Sequence, residues 1–179
     1  MYILKFILLA TVFGTSTIIG ILISKRYSKR VDILKQLKNG LNMFEVKIEF
    51  SFETISDIFS EIAEKLDDSV GKIFSDTVKN MNEKGMYAGK AWEKSIDMNC
   101  ENLKKEDIIC IKSLGKMLGK TDVDGQISQI KLVSNFLDKQ ISEACEDKNK
   151  NEKMYQKLGA IIGAVIVIVL IWNYKLWNR

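Results

Sequence analysis

Leu158 to Trp172 is an unbroken run of fifteen residues without a charge, framed by Tyr155 and Lys157 before it and Tyr174, Lys175 and Trp177 after it. A helix rises about 1.5 Å per residue, so the run covers roughly 22 Å. That falls short of the roughly 30 Å hydrocarbon core of a bilayer. The deficit closes when Lys175 snorkels and Trp177 sits in the far headgroup layer, where basic and aromatic flanks gather. A buried helix of a soluble core is the competing account, and the flanks argue against it. The run reads as a membrane span.

Phe6 to Ile23 is a second run, eighteen residues long and uncharged, preceded by Lys5 and followed by Ser24, Lys25, Arg26 and Tyr27. A signal peptide would look similar at first. This run is longer than a usual apolar signal core, however, and no small-x-small cleavage site precedes the basic cluster. The two runs therefore make a hairpin across a membrane. Lys25, Arg26, Lys29, Arg30, Lys35 and Lys38 follow the first run, and Lys148, Lys150, Lys153 and Lys157 precede the second. Outside the pair stand only Lys5, Lys175 and Arg179. Basic residues concentrate on the cytoplasmic side, which puts the middle of the chain there and both short termini on the opposite side.

The net charge of +4 is no guide to a partner. The three basic residues outside the pair account for most of it, and the others crowd beside the membrane, where anionic lipid attracts them. A nucleic-acid footprint would need a basic face on the domain itself, and none is visible. Cys100, Cys110 and Cys145 are odd in number and widely spaced, as expected of small buried apolar residues in a reducing compartment. The chain has no histidine, which removes the common zinc sites and histidine acid–base chemistry. It also has no proline, which suits long unbroken helices.

Between the runs the apolar periodicity is helical throughout. The first span should continue as a helix carrying Ile33, Leu34, Leu37, Leu41, Phe44, Val46 and Ile48, with Gly40 interrupting it. A break is expected near Phe50 to Glu53, with Ser51 as the next cap. Ile55, Ile58, Phe59, Ile62 and Leu66 then form an amphipathic stripe. Asp67, Asp68 and Ser69 should close that helix and cap another carrying Val70, Ile73, Phe74, Val78 and Met81, which Gly85 ends. A fourth helix holds Ala88, Ala91, Trp92 and Ile96. Asn102 should cap a fifth, with Leu103, Ile111, Leu114, Met117 and Leu118 before a stop at Gly119. Thr121 or Asp122 then caps a sixth with Val123, Ile127, Ile130, Leu137, Ile141 and Ala144, and nothing from Glu146 to Lys153 breaks it before the second span. The fold class is all-α: a cytoplasmic bundle of about six helices between an N-terminal and a C-terminal transmembrane helix. The divisions fall at 1–23, 24–153 and 154–179.

Chemistry is hard to find. Asp122 with Asp124, and Asp67 with Asp68, resemble short magnesium-binding pairs. Each stands where a helix begins, though, and acids there satisfy free N–H groups and the helix dipole. Phosphate-binding, dinucleotide-binding and nucleophile-elbow motifs are all missing. No catalytic residue, cofactor, metal or small-molecule substrate is implied. Trp92 reads most simply as core. The small residues say more: Gly159 and Gly163 lie one turn apart on the second span, with Ala160 and Ala164 alongside. Ser16, Gly20 and Ser24 repeat that spacing on the first. Such rows let backbones approach closely in lipid, between the two spans or against partner subunits. Alanine at one of these glycines should then do less harm than leucine. Gly115 and Gly119 share the spacing but fit a tight crossing and a helix stop.

One ordered set of motifs is distinctive. Lys25, Arg26 and Tyr27 follow the first span, and Ala91, Trp92 and Glu93 lie midway. The run Leu114 to Gln126, with Gly115, Gly119 and Asp122, comes next, and Met154, Tyr155, Leu158 and Gly159 lead into the second span. In this order and spacing the chain closely resembles the stage III sporulation protein AB family of endospore-forming bacteria, over essentially its whole length. One departure lies at Ser51, Phe52, Glu53 and Thr54, where the family pattern would carry a proline-containing turn.

The resemblance implies a non-enzymatic platform or scaffold subunit of the stage III sporulation complex, which links mother cell and forespore. Its helical domain would be similar to the inner-membrane platform protein of type II secretion and type IV pilus systems. The implied partners are the other stage III A proteins, including the cytoplasmic AA ATPase, the membrane itself and a second copy of the chain. The implied location is the mother-cell membrane around the forespore. Lys25, Arg26, Tyr27, Trp92, Gly115, Gly119, Asp122, Gln126 and Tyr155 would serve structure or a partner surface. A membrane enzyme would need convergent acids that are not in view. A small holin-like or lipid-sensing membrane protein would explain the spans but not the long segment between them.

Overall fold

The computed structural model describes residues 2–51 and 53–177. Met1, Phe52, Asn178 and Arg179, and the side chains of residues 2–6, 68, 171 and 173–177, lie outside the described set. Among the described residues there are six α-helices and no strand. They are α1 (Tyr2–Phe50), α2 (Ile55–Lys65), α3 (Asp68–Lys84), α4 (Ala88–Met98), α5 (Lys105–Ser113) and α6 (Val123–Trp177), with a short 3-10 turn at Leu114–Lys116. The chain divides into two compact units, residues 30–143 and residues 1–29 with 144–179. The long helices α1 and α6 each contribute to both. The fold is all-α, and α1 and α6 are both long and apolar enough to cross a membrane.

In the unit of residues 30–143, an aromatic cluster marks the centre. Phe59 meets Phe44 edge-on with ring centroids 4.9 Å apart and Phe74 at 5.1 Å, while Trp92 touches Phe59 at 5.6 Å and Phe74 at 5.3 Å. All four rings are fully buried. Each such pair adds about 0.5–1.5 kcal/mol beyond its area. Leu34, Leu37 and Leu41 from α1 and Ile130, Val133 and Leu137 from α6 extend the core. The apolar stripe of α1 ends at Phe44, since Val46 is 58% exposed, and that of α6 begins after Val123, which is 45% exposed.

Gly40 does not interrupt α1. A Cβ there would come within 2.8 Å of Phe74 Cζ and 3.0 Å of Leu66 Cδ1, so the glycine makes room for a ring. Gly85 ends α3 in the left-handed conformation, φ +60°, where glycine carries no Cβ penalty. Three caps differ from the sequence expectation. Thr54, not Ser51, opens α2 through a reciprocal capping box with Asp57. Lys104, not Asn102, stands at the start of α5, where Asp107 accepts the Lys104 backbone N–H at 2.9 Å. Asp67 occupies the cap position of α3, but its side chain makes no cap bond and accepts from Gln36 Nε2 instead. The fifth helix also stops early, at Ser113, because Leu114 to Lys116 tighten into the 3-10 turn.

Arg30 departs furthest from expectation. It belongs to the basic run after the first span, yet it is 5% exposed and turned inward. Its Nε and Nη2 donate to the two oxygens of Asp107 at 2.8 and 2.9 Å, and Nη2 also reaches Gln140 Oε1 at 3.2 Å. Asp107 is wholly buried. The fork thus binds α1, α5 and α6 together. The three cysteines are free and half-buried, not core residues. Burial pushes the Cys110 thiol up to about 11, leaving little reactive thiolate near neutrality.

Breaking a buried pair strands a charge, whereas replacing both partners by apolar groups can be close to neutral. Asp107→Ala should therefore cost about 3–5 kcal/mol, and Arg30→Met with Asp107→Leu much less. Thermal unfolding of the detergent-solubilised chain, followed by circular dichroism, measures both. Unfolding of Asp107→Ala at the parent temperature would refute the account.

Candidate functional site

The small residues of the two apolar segments converge. Helices normally stay 8–10 Å apart because of their side chains, and glycine removes that spacer. A Cβ on Gly20 would lie 2.7 Å from the Tyr155 carbonyl oxygen and 2.9 Å from Gly159 Cα. One on Gly159 would lie 2.9 Å from Gly20 Cα and from the Ser16 carbonyl oxygen. Gly163 is looser: there a Cβ would meet Phe13 Cδ2 at 3.1 Å and Ser16 Cβ at 3.2 Å. Ser16 Oγ donates to the Gly159 carbonyl at 2.9 Å. Gln156 Nε2 donates to Ser24 Oγ at 3.3 Å, and that hydroxyl donates to the Ile21 carbonyl. Tyr27 and Tyr155 stack with centroids 5.8 Å apart. As the numbering rises on one helix it falls on the other, so the pair is antiparallel. Around this contact the apolar side chains point outward: Ile18, Leu22, Ile161 and Ile168 are each more than half exposed.

Apart from Lys25 and Arg26, the remaining candidates lie in the unit of residues 30–143. Trp92 Nε1 donates to the Ile111 carbonyl at 2.8 Å, which satisfies the polar atom of an otherwise apolar core residue. Gly115 packs on Gly89: a Cβ on Gly89 would fall 2.0 Å from the Gly115 carbonyl oxygen. Gly119 takes φ +70° and turns the chain toward α6. Gln126 braces that turn, accepting from Gly119 N–H at 3.4 Å and donating to the Thr121 carbonyl at 3.1 Å. Asp122 Oδ1 accepts the Gly125 N–H at 3.0 Å, a cap of the first turn of α6. Gly115, Gly119, Asp122 and Gln126 thus build one connection, apart from Trp92. The groove between α2 and α3 is lined by Ser60, Glu64, Gly71, Lys72 and Ser75, a set with a single carboxylate. Among the described residues no three of His, Cys, Asp and Glu gather as a metal would need.

A family model described as stage III sporulation protein AB matches residues 5–171. The chain belongs to this family. The stage III sporulation protein AB of Bacillus subtilis (strain 168) is 29% identical over 153 residues, covering 84% of this chain and 90% of that one. A solved structure of stage III sporulation protein AB (SpoIIIAB) superposes with a TM-score of 0.64 at 25% identity, covering 68% of this chain and 98% of that one.

In this member of the AB family, Lys25 and Arg26 are exposed and Tyr27 is half-buried in its stack. Sequence reasoning did not find Arg30 with Asp107, nor Gly89 against Gly115. The Asp107 cap had a local sign, an acid three residues after the start of the helix, but its arginine partner is 77 positions away. Gly89 had none.

Two outcomes are expected here. Cysteines placed by Tyr27→Cys and Tyr155→Cys, in a chain lacking Cys100, Cys110 and Cys145, should be joined by a short bismaleimide. Gly159→Leu should abolish the product, and Gly159→Ala should already reduce it because its Cβ strikes backbone; Gly163→Ala should leave it nearly intact. Equal yields for all three would disprove the close crossing. Separately, Asp122→Ala should lower stability by about 1 kcal/mol and Asp122→Asn by little, since asparagine caps as well as aspartate. Thermal melts of the two variants distinguish a cap from a charge requirement.

Proposed function

We propose that the chain is a non-enzymatic platform subunit of the stage III sporulation complex, set in the mother-cell membrane around the forespore. The match to the AB family over residues 5–171 carries this reading. Two features support it. The apolar helices α1 and α6 also supply walls of the bundle, as a subunit linking a membrane to a cytoplasmic machine requires. The family-motif residues Trp92, Gly115, Gly119, Asp122 and Gln126 all have packing or turn-forming partners, which suits a scaffold.

In this proposal residues of about 24–153 face the cytoplasm, and residues 1–23 and 154–179 carry the spans with short ends on the far side. The orientation rests on the distribution of Lys and Arg. The bundle would receive the AA ATPase and relay its action to channel components, and copies of the chain could assemble through the remaining surface. Fold likeness alone does not assign such a role; the family match is what brings it forward.

A cysteine from Lys84→Cys should be shielded from a membrane-impermeant thiol reagent in intact cells, while one from Asn178→Cys should label. Both are read in the chain lacking its three native cysteines. The opposite pattern would overturn the orientation. Loss of the chain should block sporulation, and affinity capture of the full chain from sporulating cells should bring down the ATPase. Normal sporulation without it would overturn the role.

A further inference from the structure

The level at which Tyr27 stacks on Tyr155 is also the level of an uncompensated positive band. Lys25, Arg26 and Lys29 on α1, and Lys153 and Lys157 on α6, are all exposed. None of the five pairs with a carboxylate among the described residues, whereas Lys38, Lys104 and Lys112 do. Lys25 and Lys29 are four apart, Arg26 and Lys29 three apart, and Lys153 and Lys157 four apart, so each set shares a face of its helix. Across residues 24–29 and 152–157 the single carboxylate is Glu152.

The neighbouring surface is apolar. Within two turns further along the pair, Ile19 is 57% exposed, Leu22 58%, Ile161 58% and Ile162 50%. Charge and apolar surface therefore abut in the order in which a phospholipid presents its phosphate and its chains. The helices are locked together at this depth by Gly20 on Gly159, by Gln156 on Ser24 and by the tyrosine stack. The helix segments that carry the cations are thereby fixed beside one another.

We propose that Lys25, Arg26, Lys29, Lys153 and Lys157 form a binding collar for anionic phospholipid headgroups, with Arg26 able to grip phosphate in two-point fashion. Each basic residue near an anionic surface adds attraction, and salt screens it. The collar selects lipid charge and not lipid chains. This goes beyond the platform role but rests on the two helices crossing the membrane.

The test uses the full chain reconstituted into vesicles of phosphatidylcholine with phosphatidylglycerol. Spin-labelled phosphatidylglycerol and spin-labelled phosphatidylcholine report which lipid is motionally restricted by the protein. The parent should restrict the anionic lipid at least about threefold more than the neutral one, and added salt should reduce the ratio. A variant with Lys25→Gln, Arg26→Gln, Lys29→Gln, Lys153→Gln and Lys157→Gln should fall to a ratio near one. A control with Lys72→Gln, Lys79→Gln, Lys90→Gln, Lys94→Gln and Lys105→Gln should match the parent. Inorganic phosphate, compared with chloride at equal ionic strength, should not displace the labelled lipid; displacement would make the collar a phosphate site and overturn the proposal. A parent ratio near one would also overturn it, and would leave the collar to an acidic protein segment. Alkaline extraction serves as a separate readout: a parent chain washed from the vesicles would defeat the spanning reading and this proposal with it. Because no sporulation partner is present, failure of lipid selection leaves the platform role standing.

Discussion

The bundle depends on a charge pair almost wholly withdrawn from water. Helices α2, α3 and α4 follow one another closely in the chain, so their packing needs only short loops. Helices α1 and α6 belong to opposite ends of the chain, and something must fix where along their length they meet. Arg30 does this by spending its fork on Asp107 and a further N–H on Gln140. Taking such a pair out of water costs several kcal/mol per ion before attraction repays it. Sliding α1 by one residue would strand both charges, whereas a slide of leucine against leucine would cost far less. The polar pair sets the register, and the apolar core supplies the adhesion.

Glycine performs the matching task wherever two backbones must touch. Gly20 and Gly159 do so in one unit, and Gly89 and Gly115 in the other. Glycine in a helix costs about 0.5–1 kcal/mol relative to alanine. Each of these four nonetheless lies where a Cβ would have to share space with a carbonyl oxygen or a Cα. Their spacing in sequence shows which could do this, and only the packed structure shows against what.

Much of the architecture was legible in the sequence because it is periodic or local. The two uncharged runs, the stripe through Ile58, Phe59 and Ile62, the stop at Gly85 and the cap at Asp122 all announce themselves within a few residues. Contacts between distant residues are of another kind. Arg30 looks like one more member of a membrane-flanking basic run, since nothing in its neighbourhood signals a carboxylate on a helix four elements later. The misplaced caps have a nearer cause. Thr54 and Asp57 stand at capping-box spacing, but Ser51 offered an equally plausible hydroxyl three residues earlier. Leu114 continues an apolar stripe, and the pattern alone does not distinguish a 3-10 turn from one more turn of α-helix.

The antiparallel crossing of Ser16 and Gly20 with Gly159 has a consequence for biosynthesis. Its two halves lie at opposite ends of the polypeptide, so if both helices span a membrane, as proposed, the first reaches the bilayer long before its partner exists. At ordinary elongation rates that interval is on the order of ten seconds. Meanwhile the hydroxyl of Ser16, which donates across to Gly159, needs another acceptor, because lipid offers none. Ser24 keeps one throughout in the carbonyl of Ile21, within its own helix, and a carbonyl one turn back is similarly open to Ser16. The nascent first span can therefore wait alone without an orphaned polar group, and ribosomal timing need not be matched to assembly.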